Sequence, residues 1–427
     1  MIGEEAAFAS SFVAGRSSLT TLAAMGPSQP TSLMTTLVDA SLAADVPLTL
    51  IFADLTGAFA FLSPEHLAAA RSGRLQLLPL AGAIPRFWAG NVDFLPNALW
   101  DADRMIAGGQ LKLDLILMEA AEGTSPDELS YGDMIGYMAA ALDTNATAVA
   151  VTRPGTPHVA DAPTIALKRF DRVIRGEPRE RRRGAPASLS PQQREIGRRI
   201  ASLIPDEATL QLGLGALQEA ILLELDDKRD LGIHSGIVTP TIQRLVESGV
   251  INGKAKSLDA GKIVATGLVG GVHPDNAPIR DALSLRPLSE THDPRRLALQ
   301  ERLWAINSAL EVDLTGQANA EYIQGQRLVS GGGQGDFVRA GHISPGGASV
   351  IALPSRTGKG DSRIVGALPN GHRPTSAAQD IDFVVTEFGS ADLRGRSMRE
   401  RATALIAVAH PDDRDALTAT LREASGF

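Results

Sequence analysis

Apolar residues in this chain fall in short runs closed by turn residues, and the runs alternate with stretches of helical spacing. Leu19 to Met25 reads as a strand, Gly26-Pro-Ser-Gln-Pro30 as a turn, Ser32 to Ala43 as an amphipathic helix and Leu48 to Ala53 as a second strand. Strand, helix and strand in succession predict parallel pairing. Leu113 to Met118 and Thr147 to Val151 are further buried-strand candidates, with an Ala-rich helix over Met134 to Leu142 between them. The style repeats later in the chain. Thr209 to Leu212 leads into Gly213-Leu-Gly215 and a helix over Leu217 to Leu225, followed by strands at Ile263 to Thr266, Ser349 to Leu353 and Phe383 to Thr386. Both halves therefore read as open α/β sheets, a class that binds ligands beyond the carboxyl ends of its strands.

The sharpest interruption is Arg175-Gly-Glu-Pro178, followed by the charge run Arg179 to Arg183 and by Gly184-Ala-Pro186. Glycine, proline and clustered charge mark a solvated connector, with a phosphate-binding patch as the alternative use of the arginines. Directly after it, Ser190-Pro191-Gln-Gln193 supplies an N-cap, a proline at the first helical position and a capping-box glutamine, with Ile196, Ile200 and Leu203 at helical spacing. The predicted organisation is a domain over 1–180, a linker over 181–186 and a second domain over 187–427.

Composition narrows the chemistry. The 427 residues are 44% hydrophobic and 21% charged and contain no cysteine. Disulfides, thiolate-held metals and a cysteine nucleophile are thereby excluded, so any catalysis uses oxygen or nitrogen groups. A net charge of −8 gives no overall positive field for nucleic acid or an anionic membrane. The longest apolar stretches, such as Leu48 to Phe52 and Ile263 to Val269, fall short of the ~20 residues of a membrane span. With Glu4 and Glu5 where a signal peptide carries positive charge, a cytoplasmic location is expected.

Two loops stand out. In Ser330-Gly331-Gly332-Gly333-Gln334-Gly335-Asp336-Phe337, consecutive glycines bring backbone N–H groups close to a ligand without side-chain obstruction, a candidate oxyanion hole; the alternative is a flexible loop. In Pro354 to Arg363, Arg356, Lys359 and Arg363 place three cations in a glycine-containing loop suited to phosphates. Gly213 and Gly215 follow a strand and open a helix, so their amides could face an anion. They do not complete a dinucleotide fingerprint, because Gln218 stands where the third glycine belongs.

Several segments taken together resemble the acetyl-CoA hydrolase/transferase family of class I CoA-transferases, near its 4-hydroxybutyrate and butyryl CoA-transferase branch. They are Leu210-Gln-Leu-Gly-Leu-Gly-Ala216, Asp230-Leu-Gly-Ile-His234, Gly261-Lys-Ile-Val-Ala-Thr266, the run from Ala305 to Gln317, Gly332-Gly333 with Asp336-Phe337, and Val384-Val-Thr-Glu-Phe-Gly389 running into Ala391-Asp-Leu393. The resemblance implies two similar α/β domains with the active site in the cleft between them, commonly in a homodimer. It also implies a ping-pong reaction in which a glutamate takes CoA from an acyl-CoA through an anhydride and passes it to a second carboxylic acid. Acyl-CoA and a carboxylate are then the small-molecule partners. CoA enters as substrate, and no permanently bound cofactor or metal is expected.

The family's glutamate stands two residues after the histidine-like position, and this chain reads His234-Ser235-Gly236 there. Glycine carries no nucleophile. After the strand ending at Met118 the chain reads Glu119-Ala-Ala-Glu122-Gly123 in place of the family's loop, so Glu119 and Glu122 are candidate relocated carboxylates, with ordinary loop residues as the alternative. His234 is a candidate base or a hydrogen-bonded positioning residue. Gly213, Gly215, Gly332, Gly333 and Gly335 are assigned to oxyanion and CoA contacts, and Lys359 and Arg363 to phosphates. The expected activity is CoA transfer from a short acyl-CoA to a carboxylic acid. The alternatives are hydrolysis with water as acceptor, with the glycine loop polarising the thioester while His234 or Glu119 activates water, and a non-catalytic acyl-CoA-binding or regulatory protein.

Overall fold

A computed structural model describes residues 2–178 and 188–423, so the arginine run at 179–183 and the linker expected at 181–186 lie outside the described residues. The strands expected at Leu19–Met25, Leu48–Ala53, Thr209–Leu212 and Phe383–Thr386 occur with those bounds. Their runs are mostly apolar, with a few threonines and Gln211, because helices cover both faces of a parallel sheet; Leu22, Ala23 and Ala24 are all fully buried. Other boundaries move by a few residues. The strand expected to end at Met118 spans Leu115–Glu122, and the helix expected from Met134 begins only at Met138. Met134 is held instead in an isolated bridge to Gly267.

The first sheet has nine strands. Leu19–Met25 is central, with Leu48–Ala53 and then Leu75–Ala83 parallel on one side, and Leu115–Glu122, Thr147–Thr152 and Arg172–Arg175 parallel on the other. The second sheet has eight strands. Thr209–Leu212 is flanked by Gly232–His234, Ile263–Ala265 and Leu283–Leu285 on one side, and by Leu303–Ser308, Ala348–Ala352 and Phe383–Thr386 on the other, all parallel, before Gly389–Asp392 turns back antiparallel. Strand order reverses direction beside each central strand, and such switch points open a crevice at the carboxyl ends.

Between the sheets, the capping box is formed. Ser190 Oγ accepts from the Gln193 N–H at 3.2 Å and Gln193 Oε1 accepts from the Ser190 N–H at 2.9 Å, starting the helix Pro191–Leu203.

The halves are tied to each other directly. Val329–Gly331, from the second half, pairs antiparallel with the edge strand Leu75–Ala83 of the first sheet. The Ile135 N–H donates to the Thr266 carbonyl at 2.9 Å, and the Gly136 N–H to Thr266 Oγ1 at 2.9 Å. One apolar core runs through both halves, including Leu22 and Met138 with Leu210 and Ile263.

Asp336 is a further tie. It opens the helix Gln334–Ile343, and its Oδ2 accepts from the Trp100 N–H at 3.2 Å. Burial is the main force on this carboxyl and pushes it up to about 7. The folded protein therefore holds a proton that the unfolded chain releases. That stabilisation is complete below the ordinary carboxyl value near 4 and is lost as pH rises through about 7. Asp336→Asn keeps an acceptor oxygen without the titration. Its stability relative to the parent should rise by on the order of 1 kcal/mol or more between about pH 5 and about pH 8, measured by urea unfolding. A difference that does not change with pH contradicts this account.

Candidate active site

The carboxyl ends of the two sheets face a shared cleft of about 1450 Å³, more than the ~300–1,000 Å³ usual for small-molecule pockets. From the first sheet the walls are Gly26 and Pro27 after Leu19–Met25, Asp54 after Leu48–Ala53, Glu119 within Leu115–Glu122, and Arg153 after Thr147–Thr152. From the second come Leu214, Gly215 and Ala216 after Thr209–Leu212, then Thr239 to Thr241, Val269 and Gly270. Asp54 is held by its own turn. Its Oδ1 accepts from the Thr56 N–H at 2.8 Å and its Oδ2 from the Phe59 N–H at 2.8 Å.

Glu119 is one of the cleft carboxylates of the first half and is 5% exposed. Its Oε2 accepts from Arg153 Nε at 3.0 Å and its Oε1 from Thr156 Oγ1 at 3.4 Å. Paired in this way it is a strut between two strand ends, and its lone pairs are largely committed. Glu122, three residues on, is exposed; its backbone pairs with Leu129, and it is not a wall of the cleft.

His234 ends its strand completely buried, with Nε2 3.2 Å from the Thr291 carbonyl. That carbonyl can only accept, so Nε2 carries the proton. Burial above all, with the nearby Lys256 ammonium, holds the imidazole down to about 3, so it stays neutral. His234 therefore positions the segment at Thr291 from inside the core. Ser235 Oγ donates to the Leu212 carbonyl at 3.0 Å, which fixes the end of this strand to the base of the Gly213–Gly215 turn.

Gly236 follows, partly exposed, with its carbonyl accepting from the Thr266 N–H at 3.1 Å. A side chain could start here, because a Cβ would lie 3.4 Å from Cε1 and Nε2 of His292, an ordinary contact. The glycine loop comes to the other side of the same ring. A Cβ on Gly333 would fall 2.7 Å from His292 Cδ2 and Nε2, closer than any real Cβ packs. The N–H groups of Gly332 and Gly333 donate to no acceptor among the described residues, while the Gly332 carbonyl accepts from the Leu99 N–H at 2.9 Å and so anchors the loop to the first half. Gly335 is exposed on the first turn of the helix that follows.

The two predicted phosphate ligands stand differently. Lys359 is exposed in its loop, whereas Arg363 is half-buried, with Nη1 donating to the carbonyls of Ala309 and Leu310 at 3.4 and 3.3 Å. Neither is a wall of the cleft. Glu387 accepts from Ser355 N–H and Oγ at 2.8 and 2.7 Å and serves to hold that loop. The structure thus brings Gly236 and Gly333 together and puts Glu119 and Gly215 on one cleft, whose walls include neither Gly236 nor the Gly332-Gly333 loop. Sequence reasoning missed His292, which lies in Glu290-Thr-His-Asp293 with no spacing motif to mark it. Among the described residues no cluster of three metal-ligating side chains occurs, and no helix is long and apolar enough to cross a membrane.

A family model described as the acetyl-CoA hydrolase/transferase C-terminal domain matches residues 275–421. Over 337 residues the chain is 35% identical to the 4-hydroxybutyrate coenzyme A transferase of Clostridium kluyveri, covering 77% of each protein. The chain belongs to the acetyl-CoA hydrolase/transferase family of CoA-transferases. Family likeness extends to the whole fold: RipA from Yersinia pestis superposes with a TM-score of 0.86 at 27% identity over 99% of both chains. The 4-hydroxybutyrate CoA-transferase of Porphyromonas gingivalis gives 0.73 at 28% identity, over 97% of this chain and 96% of its own. Membership in this CoA-transferase family makes the protein an enzyme of acyl-CoA chemistry, on a fold with mixed sheets and flanking helices.

Proposed function

We propose that this protein transfers CoA from a short acyl-CoA to a carboxylic acid, with the reacting carbonyl where Gly236 meets the Gly332-Gly333 loop, between its two halves. The observation that carries the reading is the convergence of Gly236 and the donor-rich Gly332-Gly333 loop on one point, within a family of CoA-transferases. Free backbone N–H groups suit the oxygen of a thioester or anhydride as negative charge develops on it. We place the domains at 1–180 and 187–427; the family resemblance supports a homodimer, and the short apolar stretches support a cytoplasmic location. Incubation of butyryl-CoA or succinyl-CoA with and without acetate, and of acetyl-CoA with and without butyrate, should yield a new thioester only when the acid is present. Free CoA alone would identify a hydrolase, and neither product would identify a binding protein.

For CoA itself we place the phosphates against the loop that carries Lys359 and Arg363. Lys359 presents an exposed ammonium, and charged hydrogen bonds to phosphate are worth about 1.5–3 kcal/mol. Lys359→Ala should weaken CoA binding about tenfold or more by calorimetry. An unchanged dissociation constant in both Lys359→Ala and Arg363→Ala removes the phosphates from this loop.

A further inference from the structure

We propose that His292 Nε2 is the nucleophile of this protein, taking the acyl group from acyl-CoA at the position where Gly236 offers none. The inference rests on the CoA-transfer reading and names the residue that reading lacks.

Four observations carry it. The ring lies between Gly236 and Gly333, with Nε2 3.4 Å from the point where a side chain at 236 would begin. It is 98% buried by the complement of its 2% exposure, packed edge-on against Phe337 at 4.8 Å between ring centres, so its orientation is fixed. Its Nδ1 is 2.8 Å from Thr291 Oγ1, and that hydroxyl also reaches the Pro287 carbonyl at 3.2 Å. We assign the imidazole proton to Nδ1, because this tautomer alone satisfies both contacts: Oγ1–H points at Pro287 and Nδ1–H donates to Oγ1. Nε2 then holds the lone pair, and it has no hydrogen-bond partner among the described residues. Burial holds the imidazole down to about 3, which keeps that lone pair free of a proton at neutral pH.

Transfer of CoA between two carboxylates moves no net proton, so a general base has nothing to remove, and an unprotonated nitrogen beside Gly236 suits the nucleophile that this position lacks. In the first step the Nε2 lone pair bonds to the thioester carbon, the C–S bond breaks and CoA departs as thiolate, leaving an acylimidazolium whose positive charge is balanced by that thiolate as an ion pair. The acceptor carboxylate then attacks the acyl carbon. The N–C bond breaks, its electron pair returns to Nε2 and a mixed anhydride forms. The CoA thiolate attacks the acceptor-side carbonyl, the anhydride C–O bond breaks and the donor acid leaves as carboxylate. The unfilled N–H groups of Gly333, which is beside the ring, and of Gly332 next to it in the chain supply the donors for the oxyanion of each tetrahedral centre.

The decisive measurement is exchange of radiolabelled CoA into acetyl-CoA with no carboxylic acid present, which an acyl-histidine permits and a direct attack by the acceptor acid does not. The wild-type protein should exchange. His292→Ala should lose about 10²-fold or more of both exchange and transfer, and added imidazole should restore at least about tenfold of each. His292→Gln, which keeps bulk in the core, should be equally inactive, with melting temperature and CoA affinity reporting that it folds. The assignment is overturned by acid-dependent formation of butyryl-CoA from acetyl-CoA and butyrate without CoA exchange, by exchange within threefold of wild type in a folded His292 variant, or by loss that imidazole does not restore in a folded His292→Ala protein. Imidazole-restored exchange in a protein that never forms butyryl-CoA would instead keep His292 and remove the transferase reading.

Discussion

Gly333→Val is expected to lower turnover by about 10²–10³-fold while changing acyl-CoA affinity by less than about tenfold, the signature of a lost interaction made in the transition state. The backbone is not the obstacle. Gly333 has φ −88° and ψ 1° at the start of the helix Gln334–Ile343, which any L residue can adopt. The obstacle is the His292 ring, since even a Cβ would stand 2.7 Å from two of its atoms. The ring is packed against Phe337 and bonded through Nδ1, so it cannot give way without losing both contacts. Either the imidazole or the glycine loop must move, which separates the ring nitrogen from the loop N–H groups. Steady-state kinetics with acetyl-CoA, calorimetric binding of CoA and a thermal melt separate the effects. Turnover within threefold of the parent in a folded variant would show that the loop is not part of the reacting centre.

Gly236→Glu is the opposite experiment and is expected to add an activity. It restores the side chain that the family resemblance places there, on a backbone with room for it, because the new Cβ meets only the His292 ring at 3.4 Å. A carboxylate at this point can form the anhydride and then carry CoA covalently, the one step for which an oxygen nucleophile is indispensable. The variant should become ping-pong, with a glutamyl-CoA thioester trapped by borohydride or hydroxylamine and located by mass spectrometry. Its CoA-transfer rate should rise by about tenfold or more, equivalent to ~1.4 kcal/mol of barrier. No gain in a variant that folds and binds CoA would mean that residues 237–240 have reshaped the site as well. They have a structural role that makes this concrete: Ile237–Val238 pairs with Gly267–Leu268, and Thr239 Oγ1 accepts from the Ile242 N–H at 3.4 Å to start the next helix.

Local chemistry determined a large part of this protein. Runs such as Leu19–Met25 and Phe383–Thr386 specify buried parallel strands because apolar and β-branched residues without strict alternation suit a sheet covered on both faces. The helix at Pro191–Leu203 follows from Ser190 and Gln193, whose side chains reach only their own turn. The lack of cysteine and the glycine at 236 are facts of the sequence alone, and the segments from Leu210 to Leu393 were enough to mark the family. The beginning of a helix is harder to read when its first residues are used elsewhere. Met134 has helical composition, but bridging to Gly267 takes its turn out of the helix, and this partner lies in the other half of the chain.

Tertiary structure alone decided which polar groups meet. Glu119 and Glu122 look alike in sequence, yet one is buried against Arg153 in the cleft and the other is exposed, because side chains in a strand alternate faces and only one of these faces has a neighbouring strand end to contact. The edge pairing of Val329–Gly331 with Leu75–Ala83 could not be read locally, since a short strand's pattern does not state which sheet it completes. His292 is the strongest case. Its flanking residues carry no motif, and its place between Gly236 and Gly333 is set by three chain segments arriving from different elements: a strand end held by Ser235, a short helix tied through the Thr291 carbonyl to His234, and a glycine loop fastened by the Leu99 N–H. Periodicity and capping act over a few residues and are written in the order of the chain. Convergence of a nucleophile and its oxyanion donors depends on packing between segments far apart in sequence, which is determined only when the sheets and the core between them have formed.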